Sequence, residues 1–334
     1  MTGQEMDFAL LSRPRSQAIL DGRIKPEGLP IRWSPTPNPL GWALPAVEKE
    51  RCLRAGRFVG GEMSISSFIQ AKSRGAPLLA LPVFLKRGLV QRSLFCSVDS
   101  LLNSPDQLTG KRVGLVGYTS SMAAWMRGVL EEEYHLSPSS LQWFTFSPPS
   151  KRIQIETKLL EIPKGFSGEG IEAWEELDGY SHSMERREVF LVSLLEKGEL
   201  DAVVSFQTRV ASNRIRPLLP NEDALWSHYR NKRVYPINHI FALHEELFSR
   251  YPGIDDLLLS ILKEARKLWV DYLPKEKRGV MEKEMELLDW DPFAYRLGEV
   301  EIRTLESFIG YLLKEKLISH RIPLQKLFHN VEIN

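Results

Sequence analysis

Two cysteines in 334 residues, Cys52 and Cys96, are too few for a disulfide framework, and neither has the neighbours of a zinc or redox pair. A reducing compartment fits. Net charge is nearly absent as well: 44 Lys and Arg against 43 Asp and Glu leave a formal +1, with the basic residues dispersed, so no field draws the chain to nucleic acid. No apolar stretch reaches the length of a membrane span, and Met1 to Ser12, carrying Glu5 and Asp7, lacks the basic start and apolar core of a signal peptide. A cytoplasmic protein that meets no membrane is therefore expected. HExxH, a clustered Cys/His set, a P-loop, GxGxxG after a strand and a GxSxG elbow are all missing. No cofactor is expected, although a divalent metal held by carboxylates stays open.

What is present is an ordinary globular composition, 43% hydrophobic and 26% charged. The length exceeds one core of usual size and implies two domains. Short apolar runs alternate with amphipathic stretches, the pattern of sheets covered by helices. Strands are predicted at Asp7 to Leu11, Leu29 to Trp33, Leu78 to Phe84, Leu94 to Val98, Arg112 to Val116, Ala202 to Ser205 and Ile237 to Leu243. Helices are predicted after Leu40, over Ser64 to Ser73, Ser120 to Tyr134, Arg187 to Lys197, Leu257 to Tyr272 and Leu305 to Leu317. The cluster Lys275-Glu276-Lys277-Arg278, followed by Glu282, Lys283 and Glu284, has the mixed signs of a solvated helix face. The glycine-rich segment Pro163 to Glu188 reads as an insertion with a short helix near Ile171 to Leu177.

Several blocks resemble one known family. They are Ile19-Leu20-Asp21-Gly22-Arg23-Ile24-Lys25-Pro26-Glu27-Gly28, Gly61-Glu62-Met63-Ser64-Ile65-Ser66-Ser67-Phe68, Leu81-Pro82-Val83-Phe84 leading to Arg87, and Leu108-Thr109-Gly110-Lys111-Arg112-Val113-Gly114. Trp125-Met126-Arg127-Gly128, Gly198-Glu199-Leu200-Asp201-Ala202 and Tyr235-Pro236-Ile237-Asn238-His239 follow in the same order. Together they are similar to the 4,5-dihydroxyphthalate decarboxylase family, enzymes that look like descendants of type II solute-binding proteins. Two departures stand near the expected site. Similar sequences tend to show an Arg-His pair where this chain has Val90 and Gln91, and Ser205-Phe206-Gln207-Thr208-Arg209 replaces a Ser-Ala-Arg run.

The resemblance implies an α/β fold of the type II periplasmic-binding-protein kind, with two lobes joined by a two-crossing hinge around a central cleft. Lobe I would comprise 1–98 and 233–334, including the C-terminal helices, and lobe II 99–232 with the insertion at 163–188. Helix N-termini facing such a cleft suit a carboxylate, because first-turn N–H groups are unsatisfied and the helix dipole favours an anion.

Two segments have that design. In Glu62 to Ser67, Ser66 and Ser67 would meet ligand oxygens and Glu62 would orient a hydroxyl or pair with an arginine; plain N-capping by Ser64 or Ser66 is the simpler alternative. In Gly117 to Ser121, Thr119 and Ser120 would donate and Tyr118 would stack or hydrogen-bond, the alternative being a capped helix. Arg87, and less directly Arg209, could clamp a carboxylate with two parallel hydrogen bonds. Arg127, a turn inside a helix, reads as structural. His239 in an apolar strand could move a proton near neutral pH.

The resemblance, together with these residues, implies a cofactor-independent decarboxylase, a carboxy-lyase of aromatic compound metabolism acting on a hydroxylated aromatic acid. His239 and Glu62 are its expected catalytic residues, and a small aromatic carboxylate is its expected partner. A solute-binding protein or sensor for a small carboxylate, or another lyase or biosynthetic enzyme on the same fold, would use the same residues. Self-association into a homo-oligomer stays open.

Overall fold

The computed structural model describes residues 5–36, 58–149, 155–164, 166, 179–205, 212–219 and 221–331, with backbone alone for 179–185. The chain divides into two compact units. Unit 1 holds 1–87, 237–302 and 322–334; unit 2 holds 88–236 and 303–321.

Unit 1 opens with β1 (Met6–Leu11), the one-turn helix α1 (Gln17–Leu20), β2 (Ile31–Thr36), β3 (Gly60–Ser64), α2 (Ile65–Ser73) and β4 (Leu78–Arg87). Unit 2 carries β5 (Leu94–Ser97), β6 (Arg112–Gly117), α3 (Ser121–Tyr134), β7 (Gln142–Ser147), β8 (Thr157–Leu159), α4 (Gly179–Glu196), β9 (Ala202–Val204), β10 (Ile215–Pro217) and α5 (Glu222–Lys232). The chain then returns to unit 1 as β11 (Ile237–His244), α6 (Glu246–Arg250), α7 (Ile254–Asp271) and α8 (Lys275–Leu288). The last helix, α9 (Glu299–Lys314), contains the third of the four boundaries between units.

The unit 1 sheet has the order β2-β1-β3-β11-β4. Strands β1, β2 and β3 run parallel, while β11 is antiparallel to both its neighbours. Phe8 and Leu10 of β1, Leu81 and Val83 of β4, and Phe241 and Leu243 of β11 form one buried face, against which α7 lays Ile254, Leu258, Ile261, Leu262 and Ala265. Residues at that spacing share a helix face, and each fully buried side chain contributes about 1.5 to 3 kcal/mol. The unit 2 sheet runs β10-β5-β9-β6-β7-β8, parallel through β9, β6, β7 and β8.

The seven expected strands are present, each within a few residues of its predicted ends. Four findings depart from the sequence expectations. Helix α4 starts at Gly179 rather than Arg187. Gln142–Ser147, Thr157–Leu159 and Ile215–Pro217 are strands beyond those expected, and Glu62 to Ser64, read from the sequence as a strand end running into a helix, closes the strand Gly60–Ser64. Residues 303–321 also pack with unit 2 instead of staying with the first lobe. There the Phe308 ring stacks 4.6 Å from Trp125, and Tyr311 stands edge-on to it at 5.6 Å, over a floor that Gly128 leaves open. The first division falls at Arg87, eleven residues before the expected one, because β5 pairs with β9 and β10 of the other sheet. The helix expected after Leu40 and the one near Ile171 to Leu177 lie outside the described residues.

Candidate functional site

Register places Glu62 and His239 side by side. In the antiparallel pair β3 and β11, His239 stands opposite Ser64 and Phe241 opposite Glu62. Cross-strand partners share a face, so Glu62 and His239 are diagonal neighbours on the face that Phe241 and Leu243 also occupy. His239 Nδ1 lies 2.6 Å from Glu62 Oε1. The other carboxylate oxygen, Oε2, accepts the Leu11 N–H at 3.3 Å. This pair stands at the carboxyl end of the parallel strands β1 and β3, the edge where open α/β sheets bind ligands.

Both side chains are almost fully withdrawn from solvent, Glu62 at 2% and His239 at 8% exposure. Burial pushes the His239 imidazole down to about 4, against the opposing pull of Glu62. Burial works against a charge on Glu62, yet its hydrogen bond with His239, with the Arg13 charge and the Leu11 N–H, holds its carboxyl below the usual range. The pair therefore exists near neutral pH as carboxylate and neutral imidazole. An ionised carboxylate only accepts, so the imidazole proton sits on Nδ1 and Nε2 carries the lone pair. Arg13 and Lys86 are the cations whose charges act on His239, an environment suited to an acid.

Ser64 ends β3 and caps α2: its hydroxyl accepts the Ser67 N–H at 3.4 Å from a residue in extended backbone conformation. Ser66 is fully buried, and its hydroxyl accepts from Gln70 Nε2 at 2.9 Å. Ser67 is half-buried in the first turn. Glu62, Ser66, Ser67 and His239 are thus gathered in unit 1 around one strand-to-helix junction.

Arg87, also in unit 1, has protein partners. Its Nη1 donates to Glu301 Oε1 at 2.6 Å and to the Pro292 carbonyl at 3.3 Å, and the guanidinium lies 4.6 Å from the centre of the Trp290 ring. A ligand carboxylate at this position would meet an arginine already engaged.

Tyr118, Thr119 and Ser120 belong to unit 2, at the carboxyl end of β6. Ser120 caps α3 by accepting the Ala123 N–H at 3.3 Å. Thr119 is half-buried. Tyr118 is fully buried, its ring edge-on to Trp143 and covered at 3.7 Å by the Arg127 guanidinium. Burial raises the Tyr118 hydroxyl far above its ordinary value. Arg127 donates to the Tyr118 carbonyl at 2.8 Å and forks onto Glu315 at 2.6 to 2.9 Å, which makes Tyr118 the platform of a buried ion pair. Arg209 lies outside the described residues. Among the described residues no group of three or more His, Cys, Asp or Glu side chains could hold a metal ion, and no helix is long and apolar enough to cross a membrane.

No protein-family model matches the chain. A curated relative, 4,5-dihydroxyphthalate decarboxylase of Comamonas testosteroni, is 24% identical over 351 residues, covering 98% of this chain and 97% of that enzyme. The chain resembles the dihydroxyphthalate decarboxylases. The Pseudomonas putida protein of the same description is 26% identical over 206 residues, 61% of this chain and 71% of its own. Among solved structures, the periplasmic aliphatic sulphonate binding protein SsuA of Escherichia coli superposes with a TM-score of 0.60 at 11% identity, covering 98% of both chains. The desulfurization enzyme DSZB superposes with a TM-score of 0.51 at 14% identity, covering 97% of this chain and 96% of its own. The structural likenesses establish a type II periplasmic-binding-protein-like fold of two α/β units.

Residue type and setting named Glu62 and His239 as candidates and gave no sign of the Leu11 N–H or Arg13 beside them. A backbone donor leaves no trace in residue type, and Arg13 lies in a loop without periodicity.

Proposed function

We propose that this protein is a cofactor-independent decarboxylase acting on a hydroxylated aromatic carboxylic acid such as a dihydroxyphthalate. The observation that carries the reading is the buried Glu62 and His239 pair, which leaves an unprotonated Nε2 beside two cations. Likeness to the dihydroxyphthalate decarboxylases along the chain supports it.

The chemistry follows from the substrate class. Loss of carbon dioxide breaks a ring carbon to carboxylate bond, and a bare aryl anion is too unstable to form, so the ring carbon must first take a proton. In 4,5-dihydroxyphthalate each ring hydroxyl lies para to one carboxylate. Neutral His239 accepts the proton of that hydroxyl at Nε2, and the oxygen's electrons push density to the para carbon. The imidazolium, stabilised by the Glu62 carboxylate, then gives the proton to that carbon. When the bond breaks, its electron pair restores the aromatic ring and leaves a phenolate, which takes one proton from water. His239 thus serves first as base and then as acid, while Glu62 fixes its tautomer. Arg13, Lys86 and the start of α2 supply positive potential for the carboxylates.

The test is incubation of purified protein with 4,5-dihydroxyphthalate and detection of carbon dioxide and the monoacid. Release that His239→Ala abolishes, with folding intact by circular dichroism, is the expected result. Tight binding of aromatic acids with no turnover would instead make this a binding protein.

A further inference from the structure

Among the described residues β4 is an outermost strand of the unit 1 sheet. Such a strand offers a row of backbone N–H and C=O groups to any other chain that arrives extended. Ala80 stands opposite Ala242 of β11 with its own N–H and C=O turned away from the sheet: the N–H donates to the Leu327 carbonyl at 2.8 Å, and the C=O accepts the His329 N–H at 3.2 Å. These two bonds form an isolated parallel bridge between Ala80 and Phe328. Two residues along the same strand stands Pro82, which has no N–H to offer. The Leu85 carbonyl accepts from Arg15 Nη1 at 2.9 Å.

The covering segment is built as a strap. The chain returns to unit 1 at Ile322. Ile322, Leu324, Leu327 and Phe328 are buried, while Pro323, Gln325 and Lys326 between them are exposed. The Phe328 ring stands edge-on to Phe84 of β4 at 6.4 Å. His329 stacks at 3.8 Å on Phe248 of α6, with its Nε2 3.6 Å from Asp255 Oδ2 at the start of α7. Backbone bonds at one residue hold the strap to β4, and inserted side chains supply the rest, as where a peptide adds to a sheet edge.

What the strap covers is self-complementary. A residue whose N–H and C=O both point outward can face the same residue of a second copy across a two-fold axis and exchange both bonds with it, the hydrogen-bonded pair of an antiparallel ladder. Ala80 is such a residue, and Phe84 on the same strand lends apolar surface once Phe328 leaves it. Pairing centres there because the Leu78 N–H is taken by the Ala76 carbonyl at 2.8 Å and Pro82 has none.

We infer that the segment Ile322 to Val331 is a strap that keeps the β4 edge closed, and that the edge beneath it is a surface on which a second copy of this chain pairs at Ala80 when the strap is loosened. The inference is independent of the decarboxylase reading.

Sedimentation over a range of concentrations compares the full chain with Phe328→Asp, which sets a charge against Phe84 and loosens the strap, and with the double variant Ala80→Pro, Phe328→Asp. The proline removes the outward N–H and leaves the β11 ladder in place. Phe328→Asp should dimerise on the order of tenfold more tightly than wild type, and the added proline should return association to the wild-type level. A synthetic peptide of Ile322 to Val331 should dissociate the Phe328→Asp dimer. A Phe328→Asp protein that keeps the circular dichroism of wild type and associates no more than it does overturns the inference, as does association that the proline leaves unchanged. Should Phe328→Asp unfold, Phe328→Ala, a smaller disturbance at the same place, is read against the same outcomes.

Discussion

Arg87 and Glu301, 214 positions apart in the chain, meet at 2.6 Å with their side chains at 0% and 2% exposure. Removing one partner of such a pair strands the other charge in a poorly solvated place, a larger loss than the pair's net worth. Glu301→Ala should therefore lower unfolding free energy by about 3 to 5 kcal/mol in urea. The double variant Arg87→Met, Glu301→Leu should recover most of that. A Glu301→Ala protein as stable as wild type would show that the guanidinium finds another partner.

Acid should weaken unit 1 through the Glu62 and His239 pair. The folded imidazole is depressed to about 4 from an ordinary 6.5. Between those values the unfolded chain binds the proton that the folded chain refuses, so stability falls as pH drops through this window. Lowered Glu62 acts in the same direction, its contribution being present above the ordinary carboxylate range and lost as pH falls through the folded value. The combined loss between pH 7 and pH 4 should be roughly 3 kcal/mol. Denaturation midpoints across pH for wild type and His239→Gln check this: the slope should flatten in the variant.

Activity should have an unusual acid limb. With neutral His239 as the base, kcat/KM should stay level from neutral pH down toward 5 and fall nearer 4, instead of falling around 6.5. Glu62→Gln removes the charge that stabilises the imidazolium and should cut kcat by about 10² to 10⁴ with a much smaller change in KM. A pH profile breaking at 6.5 in wild type would mean that the imidazole is not buried during catalysis.

Gly61 sets the position of Glu62. Its φ is 148°, and a Cβ there would come 2.1 Å from the Ala9 carbonyl oxygen of β1. That obstacle is backbone and cannot swing aside. Gly61→Ala should push β3 away from β1 and cost at least about 3 kcal/mol, with loss of activity from the displaced carboxylate. Normal thermal stability in this variant would show that β1 and β3 part at little cost.

The alternation of apolar runs and amphipathic stretches was enough to place seven strands and most of the helices. Those patterns report which side chains must leave water, a property of local sequence. Gly60–Ser64 was legible only as a strand end running into a helix, because two glycines, a glutamate and a serine carry no apolar alternation; its neighbours on both sides complete it. Glu62 and His239 could each be named as candidates from residue type and setting. That they form one hydrogen-bonded pair was decided by strand register, which brings residues 177 apart onto the same face. Tertiary packing likewise decided that Arg87, at the end of a strand, answers to Glu301 of a helix. Such pairings depend on distances between remote segments, and a linear pattern of hydrophobicity and charge contains no distance of that kind.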